Sequence, residues 1–152
     1  MSHSSCPPSP AAPTVAVETL FEGSTPLARR LLAEAPHPSD VAMIARAYQL
    51  LGDLTEDEKI ATVNAHPRIG ADPTLLSRLS LAEQGADRLP ELERLNSEYE
   101  SRFGFRFVVF VNGRPQGELV AVLRERMGND RNQELETGLR AVVDIAASRL
   151  GK

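Results

Sequence analysis

The sequence predicts an all-α protein, a single-domain helical bundle with one extended segment. Apolar residues recur three and four positions apart over most of the chain, and Ser, Thr and Asp residues precede several of these stretches, where helices are capped. A length of 152 residues suits one hydrophobic core. We therefore expect one compact helical domain.

The chain begins with a Pro- and Ser-rich stretch that contains no Lys or Arg and no apolar run of signal-peptide length. We interpret residues 1–14 as a disordered tail and residues 15–152 as the helical domain. The only cysteine, Cys6, lies in this tail, which excludes an internal disulfide and argues against a catalytic thiol or a cysteine metal cluster. A reducing compartment, the cytoplasm, is the expected location.

Short helical turns are expected near Leu20, over residues 27–32 and near Leu81. The first longer helix follows the candidate caps Ser39 and Asp40. Three others lie in the second half of the chain. The predicted apolar faces of these four helices are Val41, Ile44, Ala45, Tyr48 and Leu51; Leu92, Leu95, Tyr99 and Phe103; Leu119, Val122, Leu123 and Met127; and Leu135, Leu139, Val142, Ala146 and Leu150.

A further helix is predicted from a capping-box pattern, in which Thr55 is followed three residues later by Glu58. Ile60 and Val63 supply its apolar positions. It should end near His66-Pro67, because the residue before a proline is disfavoured in the α region. His66 is therefore placed at a helix exit.

Residues 103–111 interrupt the helical pattern, because they are β-branched and aromatic and propensity alone favours a strand. No partner strand is evident. We interpret the segment as buried extended backbone between helices, whose N–H and C=O groups are available to other partners, a ligand among them.

Net charge and hydropathy limit the classes of partner that the protein is expected to bind. Seventeen basic and twenty-one acidic residues give a net charge of −4, which does not suit a nucleic-acid-binding surface. The longest uncharged apolar run, residues 107–111, is too short to cross a bilayer. We expect a small-molecule partner, no nucleic acid and no membrane.

Two groups of side chains are candidates for chemistry, each with a structural alternative. His66 lies beside predicted core helices, and a histidine ordinarily titrates near neutral pH, which suits proton transfer. A histidine at a helix end, however, more often makes a capping or packing contact. Ser80 and Glu83 form a capping box that, with Gln84, would also present polar groups to a ligand at a helix N-terminus. Arg149, near the end of the last helix, is by its position more typical of a solvated surface charge.

Five motifs in order resemble the 2-oxo-4-hydroxy-4-carboxy-5-ureidoimidazoline (OHCU) decarboxylase family over about residues 20 to 150. The motifs are His66-Pro67; Ser80-x-x-Glu83-Gln84; Leu95-Asn96-x-x-Tyr99-x-x-Arg102-Phe103-Gly104-Phe105-x-Phe107-Val108; Arg126-x-x-Asn129; and Ile145-Ala146-x-x-Arg149-Leu150. The resemblance implies an all-α fold without metal or organic cofactor, S-allantoin as the product, and a homodimer.

The same resemblance implies roles for individual residues. His66 is expected to be the catalytic acid/base. The expected substrate-binding residues are Pro67, Ser80, Glu83, Gln84, Phe107, Val108, Val109, Phe110, Val111 and Arg149. The five of residues 107–111 are expected to act through main-chain hydrogen bonds.

The chain departs from the family pattern in that Arg68 follows His-Pro where Asp is frequent, Arg106 replaces a common proline, and the link from His66 to Ser80 is short. Two other functions use the same residues: a related cofactor-free lyase or isomerase acting on another ureido or imidazolone acid, and a helical binding module without activity. Convergence of His66, Glu83 and Arg149 on a closed pocket would favour an enzyme over a binding module.

Overall fold

The computed structural model describes residues 17–68 and 90–150. These residues form α-helices and one 3₁₀ turn, Leu51–Asp53, with no strand among them, which confirms the all-α prediction. The helices are α1 (Val17–Leu20), α2 (Pro26–Ala33), α3 (Asp40–Leu50), α4 (Glu56–Asn64), α5 (Pro90–Phe103), α6 (Gln116–Arg126) and α7 (Arg131–Leu150). The predicted tail, residues 1–14, and the turn near Leu81 lie outside the described residues.

Side-chain caps fix the starts of α2, α3 and α4. The Thr25 hydroxyl accepts from the Ala28 N–H at the start of α2, and Ser39 caps α3 in the same way at Ala42. The capping box predicted for α4 is present, with Glu58 also accepting from the backbone N–H of Thr55. Each cap satisfies a backbone donor that the first turn of a helix leaves unpaired.

The long C-terminal helix α7 is central to the bundle, because α1, α3 and α4 all pack against it. Its predicted apolar face is confirmed: Leu135, Leu139, Val142 and Ala146 are buried, and Leu150 packs against the core. Burial extends to the polar end of this helix, where Arg149 is 3% exposed.

The buried face of α3 differs in part from the predicted one. Met43, Ala47 and Leu50 are buried, whereas Val41 is 81% exposed. Of the other predicted residues, Leu51 is buried, and Ile44 and Tyr48 pack against the core. Two apolar stripes overlap in this sequence, displaced by about one residue or 100° around the helix. Packing against α2 and α7, which the local pattern does not contain, selects between them.

Residues 106–111 adopt neither helix nor strand, which agrees with the predicted extended segment. Their aromatic side chains join those of α5: Tyr99 lies 5.3 Å from Phe107 and 4.6 Å from Phe103 between ring centroids. Beneath them, the fully buried Glu134 accepts hydrogen bonds from Tyr99, Arg126 and Asn129. The Arg126-x-x-Asn129 motif is thus part of a structural cluster.

None of the helices in the described ranges is long and apolar enough to cross a membrane.

Candidate active site

His66 directly follows the end of α4, as the sequence predicts. The helix ends at Asn64, and the N–H of His66 donates to the Val63 carbonyl at 3.2 Å. Pro67 comes next, which disfavours helical backbone at His66. The turn directs the imidazole inwards, since the residue is only 4% exposed.

The imidazole is held in an environment that favours its neutral form. Burial lowers the pKa of His66 from the ordinary 6.5 to about 4; the Glu22 carboxylate acts in the opposite direction and Arg149 adds to the lowering. Water and protein dipoles that would stabilise an imidazolium are scarce inside a core. Within the described residues, the buried Nε2 atom has no hydrogen-bond partner. His66 therefore carries a neutral ring with an uncommitted nitrogen at neutral pH.

Arg149 is a buried guanidinium, not the surface charge that a C-terminal position suggests. Its Nη1 donates to the carbonyls of Thr19 and Leu20 at 3.0 and 3.1 Å, and its Nη2 donates to Glu22 Oε1 at 2.7 Å. The carbonyls at the end of α1 lack intrahelical partners, so the arginine satisfies them and the carboxylate balances its charge.

Glu22 is a site residue that sequence reasoning missed. It lies in the turn between α1 and α2 in the left-handed region, with φ of 61°, and its side chain is 9% exposed in the pair with Arg149. A non-glycine residue rarely adopts this conformation. The signal available in the sequence was an acidic residue directly after the apolar pair Leu20-Phe21 and before Gly23.

Three distant parts of the chain thus come within range of electrostatic interaction: His66 after α4, Glu22 between α1 and α2, and Arg149 near the end of α7. Both charged groups act on the His66 imidazole. A neutral imidazole next to a buried ion pair can accept a proton, and the nearby carboxylate then stabilises the resulting imidazolium.

The extended segment meets a different cavity. Val109 and Phe110 line a space of about 370 Å³ together with Asn112, Arg114, Arg126, Thr137, Arg140, Ala141 and Asp144. His66, Glu22 and Arg149 are not among its lining residues.

Several carbonyls of this segment are already bonded. Arg126 Nη1 donates to the Val108 carbonyl at 2.8 Å and Arg114 Nε donates to that of Val111 at 3.1 Å. Phe110 offers its carbonyl to the Arg114 guanidinium as well. No partners for the backbone groups of this segment were evident in the sequence. In the structure arginines bind several of its carbonyls, so fewer of them are available to a substrate.

The remaining predicted site residues divide in two. Pro67 is half-buried beside His66. Ser80, Glu83 and Gln84 lie outside the described residues, so their predicted roles stay predictions. Over residues 17–68 and 90–150, no group of three or more His, Cys, Asp or Glu side chains could hold a metal ion.

Comparison with known proteins gives consistent matches. Residues 9–151 match the family model described as OHCU decarboxylase. A Halalkalicoccus jeotgali protein named 2-oxo-4-hydroxy-4-carboxy-5-ureidoimidazoline decarboxylase is 30% identical over 142 residues, which cover 89% of this chain and 81% of that protein. A uric acid degradation bifunctional protein of Bacillus sp. is 27% identical over 86% of this chain, which spans only 28% of that protein's length.

Solved structures show the same architecture. The crystal structure of an OHCU decarboxylase in the presence of (S)-allantoin superimposes with a TM-score of 0.68 at 24% identity, covering 82% of this chain and 87% of that one. At this level of identity the likeness supports the fold.

Proposed function

Since this chain belongs to the OHCU decarboxylase family, we propose that it decarboxylates 2-oxo-4-hydroxy-4-carboxy-5-ureidoimidazoline to S-allantoin in urate degradation. The observation that carries the mechanism is the buried, neutral His66 beside the Glu22–Arg149 ion pair. Such a site suits a reaction that needs proton transfer in a dry environment.

The substrate supplies its own electron sink. When the bond to the carboxylate breaks, carbon dioxide leaves and the electron pair passes into the adjacent carbon–nitrogen double bond, whose nitrogen takes up a proton. The hydroxyl then loses its proton to become a carbonyl, while the carbon that bears the ureido group gains one. The protein has to orient the substrate, stabilise the shifting charge and direct one proton to one face.

His66 is the proposed proton carrier. Its neutral ring accepts the hydroxyl proton, and the imidazolium returns a proton to the ureido-bearing carbon. Glu22 stabilises the imidazolium between these two steps, since an opposite charge nearby favours the protonated ring. Delivery from one side accounts for a single enantiomer.

Arg149 has two compatible roles. The family resemblance assigns it to the substrate, where a guanidinium can hold a carboxylate or a ureido oxygen in fixed geometry. Its hydrogen bonds to Glu22 and to the end of α1 support a second role, in which it holds Glu22 beside His66. Ser80, Glu83, Gln84, Pro67 and residues 107–111 complete the proposed substrate contacts, on the strength of the resemblance.

The test uses freshly oxidised urate as the source of substrate and circular dichroism to follow the product. Wild-type protein should give optically active S-allantoin, whereas His66→Asn should lose activity by at least about 10²-fold and leave the slow route that yields racemate. His37→Asn is a matched control, because the His37 ring bonds to the Leu31 carbonyl and not to a residue of the candidate site. It should remain active.

A folded His66→Asn protein that makes S-allantoin at the wild-type rate would disprove the role of His66. Wild-type protein without activity on this substrate would favour one of the two alternatives, a lyase for another ureido or imidazolone acid or a binding module. Turnover of such acids separates these two.

The proposal includes independence of metal and organic cofactors, a homodimer and a cytoplasmic location. Unchanged activity in EDTA supports independence of metal ions, and activity lost in EDTA and restored by zinc would contradict it. Light scattering on protein eluted from a size-exclusion column measures its mass in solution and so tests whether it is a homodimer. The third is checked by fractionating cells that express the native chain.

A further inference from the structure

Arg106 folds back from the extended segment onto the end of α4. Its Nη1 donates to the carbonyl of Asn64 at 2.9 Å and to the carbonyl of His66 at 3.1 Å. Its backbone N–H donates to Asn64 Oδ1 at 2.9 Å. Three hydrogen bonds from one half-buried residue thus hold the stretch from residue 64 to residue 66.

These contacts satisfy groups that the helix leaves unpaired. The last carbonyls of a helix have no intrahelical partner and carry partial negative charge, so a guanidinium is a favourable ligand for them. The His66 carbonyl belongs to the peptide that joins His66 to Pro67. Fixing that carbonyl fixes the peptide plane and, with it, the direction in which the imidazole leaves the backbone.

The backbone turn contributes to the orientation of the imidazole. The Nε2 atom has no partner in the described part of the chain, so no hydrogen bond at that atom holds the ring. Burial restricts the ring, and the hydrogen bonds from Arg106 restrict the turn that carries it.

We propose that Arg106 is a positioning residue for His66, which sets the direction of the imidazole through the Asn64 and His66 carbonyls without touching the substrate. The inference rests on the proposed role of His66 as proton carrier. It also gives a function to a residue at which this chain departs from the proline common in similar sequences, since a proline offers neither the guanidinium nor the N–H.

The competing explanation is that Arg106 is only a helix cap. A cap contributes stability, and its loss lowers the melting temperature but leaves the turnover of the folded protein unchanged. Loss of a positioning residue lowers kcat in fully folded protein, with little effect on KM, because a displacement of about 1 Å can reduce the rate by as much as 10²-fold.

The experiment compares Arg106→Met and Arg106→Lys with the control Arg68→Met. Arg106→Met removes the guanidinium and keeps the backbone N–H to Asn64. Arg68 and Arg106 both line a groove of about 300 Å³. The Arg68 guanidinium, however, pairs with Glu100 at 2.6 and 2.7 Å. Activity is measured well below each variant's melting temperature, and the His66 ring is observed by NMR, with its signals assigned through His66→Asn.

We expect Arg106→Met to lose about 10- to 100-fold in kcat with KM within threefold of wild type, and to shift or broaden the His66 signals. Arg106→Lys should recover part of the loss, and Arg68→Met should match wild type within about twofold, because it removes only an exposed ion pair. If Arg106→Met does not fold, the kcat of Arg106→Lys decides: a reduced value supports positioning and a wild-type value contradicts it.

Wild-type kcat and unchanged His66 signals in folded Arg106→Met would overturn the inference, as would an equal loss in Arg68→Met. This failure is distinguishable from failure of the proposed function, in which wild-type protein does not turn over the substrate, and from failure of the role of His66, in which His66→Asn keeps full activity.

Discussion

At the level of single residues, the imidazole of His66 couples function to stability. Burial holds the pKa of the folded-state ring at about 4, whereas the same side chain in the unfolded chain titrates near 6.5. Between these values the unfolded state binds the additional proton. The contribution of neutral His66 to stability is therefore present above pH 6.5 and is lost progressively as the pH falls to about 4.

We expect this difference to reach about 3 kcal/mol, because each pKa unit corresponds to about 1.4 kcal/mol. Urea titrations at several pH values should show wild type losing more free energy of unfolding between pH 6.5 and 4 than His66→Asn, which has no such group. Parallel losses in the two proteins would show that the imidazole is not neutral in the fold.

Glu22 and Arg149 are also coupled at this level. Removal of either partner takes an opposite charge away from a buried charged group, which typically costs about 3–5 kcal/mol. We expect Glu22→Gln and Arg149→Met each to be strongly destabilised, and the double variant to be less destabilised than their sum by about 0.5–3 kcal/mol. Additive effects in urea unfolding would exclude the interaction.

Kinetics of the same two variants separate the roles of Arg149. Both should lose kcat if the arginine acts by holding Glu22. A KM that rises in Arg149→Met and not in Glu22→Gln would indicate direct contact with the substrate as well.

At the level of secondary-structure elements, local signals account for what was predictable. The Thr55 and Glu58 spacing identified the start of α4, and the His66-Pro67 pair its end. The face of α3 was not predictable, because both of its stripes are apolar and only packing against neighbouring helices chooses Met43 over Val41. Hydrophobic periodicity predicts that a helix forms, but it does not show which neighbouring helices pack against it.

Glu134 illustrates how one side chain joins elements. Fully buried in the first turn of α7, it accepts from Tyr99 of α5, Arg126 of α6 and Asn129 in the connection between α6 and α7. In the sequence it is one acidic residue among several in a helix, which is why the motif around Arg126 predicted nothing about its partner.

We expect Glu134→Ala to lower the free energy of unfolding by about 3–5 kcal/mol, because it leaves the Arg126 guanidinium buried without its counter-ion. Glu136→Ala is the matched control two residues further along, since the pair of Glu136 with Lys59 is half exposed and should cost at most about 1 kcal/mol. Similar losses of unfolding free energy in the two variants would show that the buried Glu134 cluster stabilises the fold no more than an exposed ion pair does.

At the level of the whole molecule, the candidate site depends on contacts that no local pattern contains. Arg149 and Glu22 are 127 positions apart, and His66 lies between them in sequence. The resemblance predicted that His66 and Arg149 belong to one site, but periodicity alone favoured a cap and a surface charge. Glu22 was missed because it follows a short helix in a turn, where acidic residues are usually solvated.

Because the N-terminal region contacts Arg149 near the C-terminus, different parts of that region should differ in importance. Residues 1–14 are predicted to be a disordered tail, whereas Thr19, Leu20 and Glu22 hold the guanidinium of Arg149. We expect protein that lacks residues 2–14 to keep kcat/KM within about twofold of wild type and to melt within a few degrees of it. A protein that lacks residues 2–22 should lose activity and cooperative unfolding, since the buried Arg149 then loses the Thr19 and Leu20 carbonyls and the Glu22 carboxylate. Thermal melts and turnover of both proteins test this, and a large loss of activity on removal of residues 2–14 alone would show that the tail belongs to the functional domain.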